Sequence, residues 1–189
     1  MKLAPSQQVI LMADLAKLHA LGITHFRAGR FEDAAQALAE AYAAAEAAGD
    51  RQRAAEILND MGVTRRELAE WVQAEAALDK AYLILVELGN VKGKAQVIGN
   101  LGSVYEGQER YEEAVDAYKQ SATMFEQVGD SDSAMYAWQA LSRLRLKQGQ
   151  WLPAIAAYEE GIENLPDRSL KKGLLKRILR LPGGMLRGR

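Results

Sequence analysis

With 189 residues, 49% of them hydrophobic, and no cysteine, the chain has apolar material for one domain with a substantial core, while disulfide staples, thiolate metal sites and a cysteine nucleophile are excluded. The net charge of −1 hides a division: eight of the 24 Lys and Arg fall from Arg168 onward, where Asp and Glu are absent, so the body carries −9 and the tail +8. No stretch approaches the roughly 18 apolar residues of a spanning helix, and Asp14 and Lys17 interrupt the apolar run at 9–12 before it could act as a secretory signal, which predicts a soluble, cytoplasmic chain.

In chain order, a first helix is expected from about Ser6 to Ala28, with Leu11, Leu15, Leu18 and Ile23 near helical spacing. Gly29 and Arg30 make a turn, and Phe31 to about Ala48 forms a second helix rich in Ala, the best helix former. Gly49 suits the left-handed residue that ends a helix. Asp50 can then accept a hydrogen bond from the open amides of the next one, a cap worth about 1 kcal/mol. The same order returns with helices at about 51–69 and 71–88, 91–108 and 111–128, and 131–148 and 151–164, broken by Gly89 with Asn90 and by Gly129 with Asp130. Phe31, Trp71, Tyr111 and Trp151 recur every 40 residues. A repeat of that length marks a stacked array, because one pair of helices cannot bury its apolar face alone. Asn164, Leu165 and Pro166 close the fourth copy, and a last helix is expected over about 168–181, before Pro182, Gly183 and Gly184.

Three positions in each copy hold small residues where two helices would approach closely: Gly22, Gly62, Gly102 and Ser142; Ala34, Ala74, Ala114 and Ala154; Ala41, Ala81, Ser121 and Gly161. Together with the aromatic register, and best of all in Ile98, Leu101, Gly102, Tyr105, Tyr111, Ala114, Tyr118 and Ser121, this pattern resembles the tetratricopeptide repeat over residues 11–166. The period of 40 is similar to a long-repeat subclass found in spindle-orientation scaffolds and in bacterial signalling and transcriptional regulators. The resemblance implies an all-α, right-handed superhelical solenoid of four helical hairpins (6–48, 51–88, 91–128 and 131–164, within a domain 1–166) followed by a C-terminal amphipathic helix and tail (167–189). The position of Tyr105 holds His25, Arg65 and Arg145 in the other copies; an arginine there must snorkel or find an acceptor.

Nothing in the sequence points to catalysis, a cofactor or a metal. His19 and His25, the two histidines, lie six apart, about 120° off a shared helix face. Neighbouring acids such as Glu112 and Glu113 do not face one another on a helix. The resemblance instead implies a protein- or peptide-binding scaffold with a concave groove lined by the first helix of each pair. Carried onto this chain, the groove positions are His19, Ile23, Phe26 and Arg27; Asn59, Asp60, Val63 and Arg66; Asn100, Ser103 and Glu106; and Tyr136, Gln139, Arg143 and Lys147. In the C-terminal segment Leu170, Leu174, Ile178 and Leu181 share one face, with Lys172, Lys176, Arg177 and Arg180 on the opposite side and Lys171 completing the basic set of the tail. That segment is expected to cap the array, with an anionic membrane surface, an acidic partner or a homodimer as alternatives; nucleic acid is disfavoured because the tail has no aromatic residue to stack on bases.

Overall fold

The chain runs as helix after helix because Ala, Leu, Glu, Lys and Arg are frequent in most of the segments between its breaks. A computed structural model describes residues 5–165, and among them every regular element is α-helical. The helices are α1 (Pro5–Arg27), α2 (Phe31–Ala48), α3 (Arg51–Glu67), α4 (Trp71–Glu87), α5 (Val91–Gly107), α6 (Tyr111–Gln127), α7 (Ser131–Lys147) and α8 (Trp151–Glu163). The segment expected as a C-terminal helix at 168–181 lies outside the described residues.

Most helices stop one or two residues before the expected ends, and the physical reason is the same at each break. A left-handed residue falls every 20 positions, at Gly29, Gly49, Ala69, Gly89, Glu109, Gly129 and Gly149. It turns the chain so that the residue after it donates its N–H back to a carbonyl five residues earlier, as Asp50 does to Ala45 (3.0 Å) and Glu70 to Arg65 (2.9 Å). Ala69 at φ 56° and Glu109 at φ 61° do this despite their Cβ, so α3 ends at Glu67 rather than 69.

Breaks between hairpins and breaks within them are held differently. Between hairpins, Asp50, Asn90 and Asp130 cap the next helix by accepting from Arg53 N (3.0 Å), Gly93 N (2.8 Å) and Ser133 N (3.1 Å). Within hairpins the residues at the cap position bond instead to the side chain five residues earlier. Arg30 donates to His25 Nδ1 (2.9 Å), Arg65 bonds Glu70, Arg145 donates to Gln150 (2.8 Å), and the Arg110 guanidinium sits 4.3 Å over the Tyr105 ring. The irregular residues at the Tyr105 position therefore follow one rule: each is matched to its own turn residue, and the two arginines find acceptors there.

The chain divides into two compact units, with the division inside α6 between Ala117 and Tyr118. In the first, Leu15, Leu38, Ile57, Leu78, Leu85, Val97 and Val104 anchor one continuous core built by α1 to α5. In the second, Met135, Ile162 and Leu165 pack together with Tyr158 against them. Trp138 Nε1 and Asn164 Nδ2 both donate to Glu126 Oε1, at 2.6 and 2.7 Å, which ties the end of α6 to α7 and to the end of α8.

All twelve small positions are buried. A Cβ on Gly62 would lie 2.5 Å from Leu78 Cγ and 3.2 Å from the Ala74 carbonyl oxygen; on Gly22 it would lie 2.7 Å from Leu38 Cγ. In the fourth copy Ser142 takes this place, and its hydroxyl donates to the Ala154 carbonyl at 2.8 Å. One close helix approach is thus met by an absent side chain in three copies, Gly22, Gly62 and Gly102, and by a hydrogen bond in the fourth.

Candidate functional site

In the first unit, α1, α3 and α5 lie side by side, and their polar residues are joined. His19 Nε2 meets Asp60 Oδ2 at 2.8 Å, Asn59 Nδ2 donates to Asp60 Oδ1 at 3.3 Å, and Asn100 Nδ2 donates to Asn59 Oδ1 at 2.7 Å. His19 and Asn59 are only 8% and 6% exposed, so a broken link would leave a buried polar group without a partner. The expected groove positions His19, Asn59, Asp60 and Asn100 are therefore brought together in one connected chain across three helices.

Two recesses flank this chain and share Asp60. One, of about 310 Å³, has apolar walls from Ile23, Phe26, Leu38 and Val63, with Arg27 also at its lining. Phe26 is held there by an edge-on contact with Phe31 at 5.5 Å between ring centres. The other, of about 350 Å³, is bordered mainly by polar residues, among them His19, Glu56, Asn59, Lys92 and Gln96.

Sequence reasoning missed part of this second recess. Gln52 and Glu56 precede Asp60 by two turns and one turn of α3, so helical periodicity alone could have added them. Asn90 reads as a cap, and besides capping it reaches Gln52 Oε1 at 3.4 Å at the recess edge. Leu85 comes from the second helix of its pair, and no first-helix pattern would find it.

The remaining expected positions are dispersed. Arg66 is half-buried and bonded to its neighbour Glu67 at 2.5 Å. Ser103 turns its hydroxyl back to the Gly99 carbonyl at 3.5 Å, and Glu106 is half-buried at the end of α5. Tyr136, Gln139, Arg143 and Lys147 lie on α7 in the second unit; Tyr136 is 69% exposed, Arg143 and Lys147 are exposed, and Gln139 is half-buried. The basic set Lys171, Lys172, Lys176, Arg177 and Arg180 lies outside the described residues.

The first unit also holds a charged cluster on the α4 side of α5. Arg110 Nη1 donates to both oxygens of Glu75 (3.0 and 2.9 Å), and its Nε and Nη2 donate to Glu113 (2.7 and 2.5 Å). The Arg110 bond holds the Glu113 carboxyl below the ordinary range, while burial, with Glu75 adding to it, pushes the Tyr105 hydroxyl up. This arrangement is an ion-paired brace at a hairpin turn. Among the described residues no three His, Asp or Glu side chains converge as metal ligands would, and no helix is long and apolar enough to cross a membrane.

Paired helices with small residues at their close contacts, capped at a fixed interval, define a tetratricopeptide-like helical repeat, a class of fold that serves as a scaffold for protein interaction. Solved structures share the fold: MamA (21% identity, TM-score 0.56, 82% of each chain covered), BtubC from P. vanneervenii (18%, 0.70, 82% of this chain and 68% of that one) and a putative kinesin light chain with nearly identical TPR-like repeats from Podosopora anserina (13%, 0.68, 92% and 97%). The chain belongs to the soluble NSF attachment protein (SNAP) family, whose profile matches residues 15–180. No curated protein matches it in sequence.

Proposed function

We propose that this protein is a non-enzymatic scaffold of the long, 40-residue-period kind that binds a protein or peptide along the face formed by α1, α3 and α5. The observation that carries this reading is the bonded chain His19–Asp60–Asn59–Asn100 with a recess on either side of it. Side chains already fixed by one another lose little freedom when a ligand docks, which is how a rigid face gains affinity. A structure with a similar fold is a subunit of the APC/C hetero-tetramer Cut9–Hcn1 (24% identity, TM-score 0.62, 86% of this chain and 29% of that one), a protein assembly, and it supports a protein partner here. The test is to isolate a partner with the full chain and then measure its affinity for two variants. Val63→Arg fills the apolar recess and is expected to lower affinity at least 10-fold. Gln73→Arg, on the exposed side of α4, is expected to leave it unchanged. Equal affinities would place the ligand elsewhere.

For residues 167–189 we favour a cap on the last hairpin over a membrane tether or a dimer contact. Trp151 and Leu152 are 68% and 81% exposed and Ile155 is exposed beside them, whereas Trp71, at the Trp151 position of the second copy, has its ring against Gly107 of the following α5. Stepping the 40-residue register on from α7 places Leu174, Leu175, Ile178 and Leu181 where Ala134, Met135, Trp138 and Leu141 are buried. Arg177 stands at the position of buried Ala137, so the match belongs to one side of the segment only. Because the chain has no cysteine, the pair Ile155→Cys and Ile178→Cys gives a clean crosslinking test. A disulfide within one chain supports the cap. A disulfide between chains supports the dimer, and no disulfide together with vesicle binding supports the tether.

A further inference from the structure

Asp60 lines both recesses, and the surroundings of its carboxylate specify what it can recognise. Both of its oxygens are oriented, Oδ2 by His19 and Oδ1 by Asn59, while its side chain remains 34% exposed. No Lys or Arg pairs with it among the described residues. Each carboxylate oxygen has about two acceptor sites, so one bond to each leaves Asp60 able to accept more. Glu56, one turn earlier on α3, lines the same polar recess, in which Lys92 is the one Lys or Arg. Two carboxylates against one ammonium favour a cationic group over an anionic one, and a charge-assisted bond is about twice as strong as a neutral one. On the other side of Asp60, Ile23, Phe26, Leu38 and Val63 line a recess together with Arg27 and Thr64, and its four apolar walls suit a bulky aliphatic side chain.

In an extended peptide, residues two apart point to the same side about 7 Å from one another, so two side chains of one segment can enter two recesses that share a wall residue. We infer that the site takes a peptide segment carrying Leu, Ile or Met and, two residues away, Lys or Arg, the aliphatic group beside Val63 and the cation beside Asp60. This rests on the binding face proposed above and adds the chemistry of its ligand.

The experiment titrates the full chain, followed by NMR, with blocked 11-residue peptides that differ only at the two positions. Leu-Ser-Lys is expected to bind at least 10-fold tighter than Leu-Ser-Glu, and more tightly than Ala-Ser-Lys. Asp60→Asn keeps the shape and an acceptor oxygen for its neighbours; it is expected to remove the preference for Lys over Glu while retaining that for Leu over Ala. Replacing the peptide Lys by norleucine should weaken binding to the natural chain, by less than Glu does because it adds no repulsion, and to Asp60→Asn hardly at all, the signature of a direct pair. Retention of the Lys preference by Asp60→Asn, equal binding of Lys and Glu peptides, or no binding of any of the peptides would overturn the inference. The binding face itself would still stand if Val63→Arg weakens the isolated partner.

Discussion

The first helices of the first unit and α7 of the second occupy the same place in the repeat but present different surfaces. On α1, α3 and α5 the polar residues are bonded to one another, His19 to Asp60 and Asn59 to Asn100. Both of these links join residues 41 apart. The next step of the series runs from Gly99 to Ala140, and neither has a polar side-chain atom with which to continue. On α7 the corresponding surface carries Tyr136 and Arg143, exposed to solvent. The contrast teaches that a repeat reproduces backbone and close contacts while leaving the surface to be specified copy by copy. It also separates two degrees of order: the bonded face is fixed in advance, whereas immobilising an exposed side chain such as Tyr136 or Arg143 would cost about 0.5–1.5 kcal/mol each.

The largest expected effect comes from exchanging residues at one repeat position between the units. Gly62→Ser places a Cβ 2.5 Å from Leu78 Cγ and should lower stability by about 3 kcal/mol, as overpacking in a tight core does. Ser142→Gly removes one buried bond to the Ala154 carbonyl and should cost about 1 kcal/mol. Urea unfolding followed by circular dichroism measures both, and equal losses would erase the distinction between the two ways of meeting the close approach.

Next in size is the bonded chain itself. Asp60→Ala leaves buried His19 and Asn59 each one partner short and should destabilise by about 2 kcal/mol, whereas Gln139→Ala on α7 should stay within about 0.5 kcal/mol. The same unfolding curves decide this, and comparable losses would mean that the two faces are equally ordered. The turns sharpen the comparison further. Ala69→Gly and Glu109→Gly in the first unit relieve a left-handed residue with a Cβ and should each gain about 1 kcal/mol, while Gly149→Ala in the second should lose about as much. Melting temperatures that move the same way for all three would exclude backbone strain as the cause.

The smallest effect is the pH response of the brace at Glu113. Its carboxyl is held below the ordinary range by Arg110, so the stability it contributes is present above the ordinary carboxylate value and is lost as pH falls below about 4, through the lowered value. The melting temperature of the natural chain should therefore fall more steeply on acidification than that of Glu113→Gln. Parallel curves for the two would show that the pair contributes nothing to folding, as many exposed pairs do.

Much of the architecture was legible in the residues because the signals for it repeat. Gly49 with Asp50, Gly89 with Asn90 and Gly129 with Asp130 announce helix ends and caps, and the small positions announce close approach, since only small side chains fit there. The turns at Ala69 and Glu109 were less legible, because neither residue type signals a left-handed conformation. The site was half legible for a related reason. His19, Asn59, Asp60 and Asn100 could be named one by one, but superposing the copies at an interval of 40 aligns His19 with Asn59 and Asp60 with Asn100, whereas the bonds run between His19 and Asp60 and between Asn59 and Asn100. The pairing of Arg65 with Glu70 and of Arg145 with Gln150 is likewise invisible to any comparison of like with like, since it links two different columns of the repeat.

The one-residue offset between the 40-residue period and the 41-residue links has a consequence for how such a chain can change. Copying a repeat delivers a complete hairpin with its caps and its small contacts, because each of these lies within one unit or recurs in the same column. It does not deliver a new link, since the two ends of a link belong to different columns of neighbouring copies, and both columns must hold polar residues before a bond can form. Length and polar linkage are therefore separate variables in this protein: the scaffold can grow by duplication, while the bonded polar chain grows only where paired substitutions supply it.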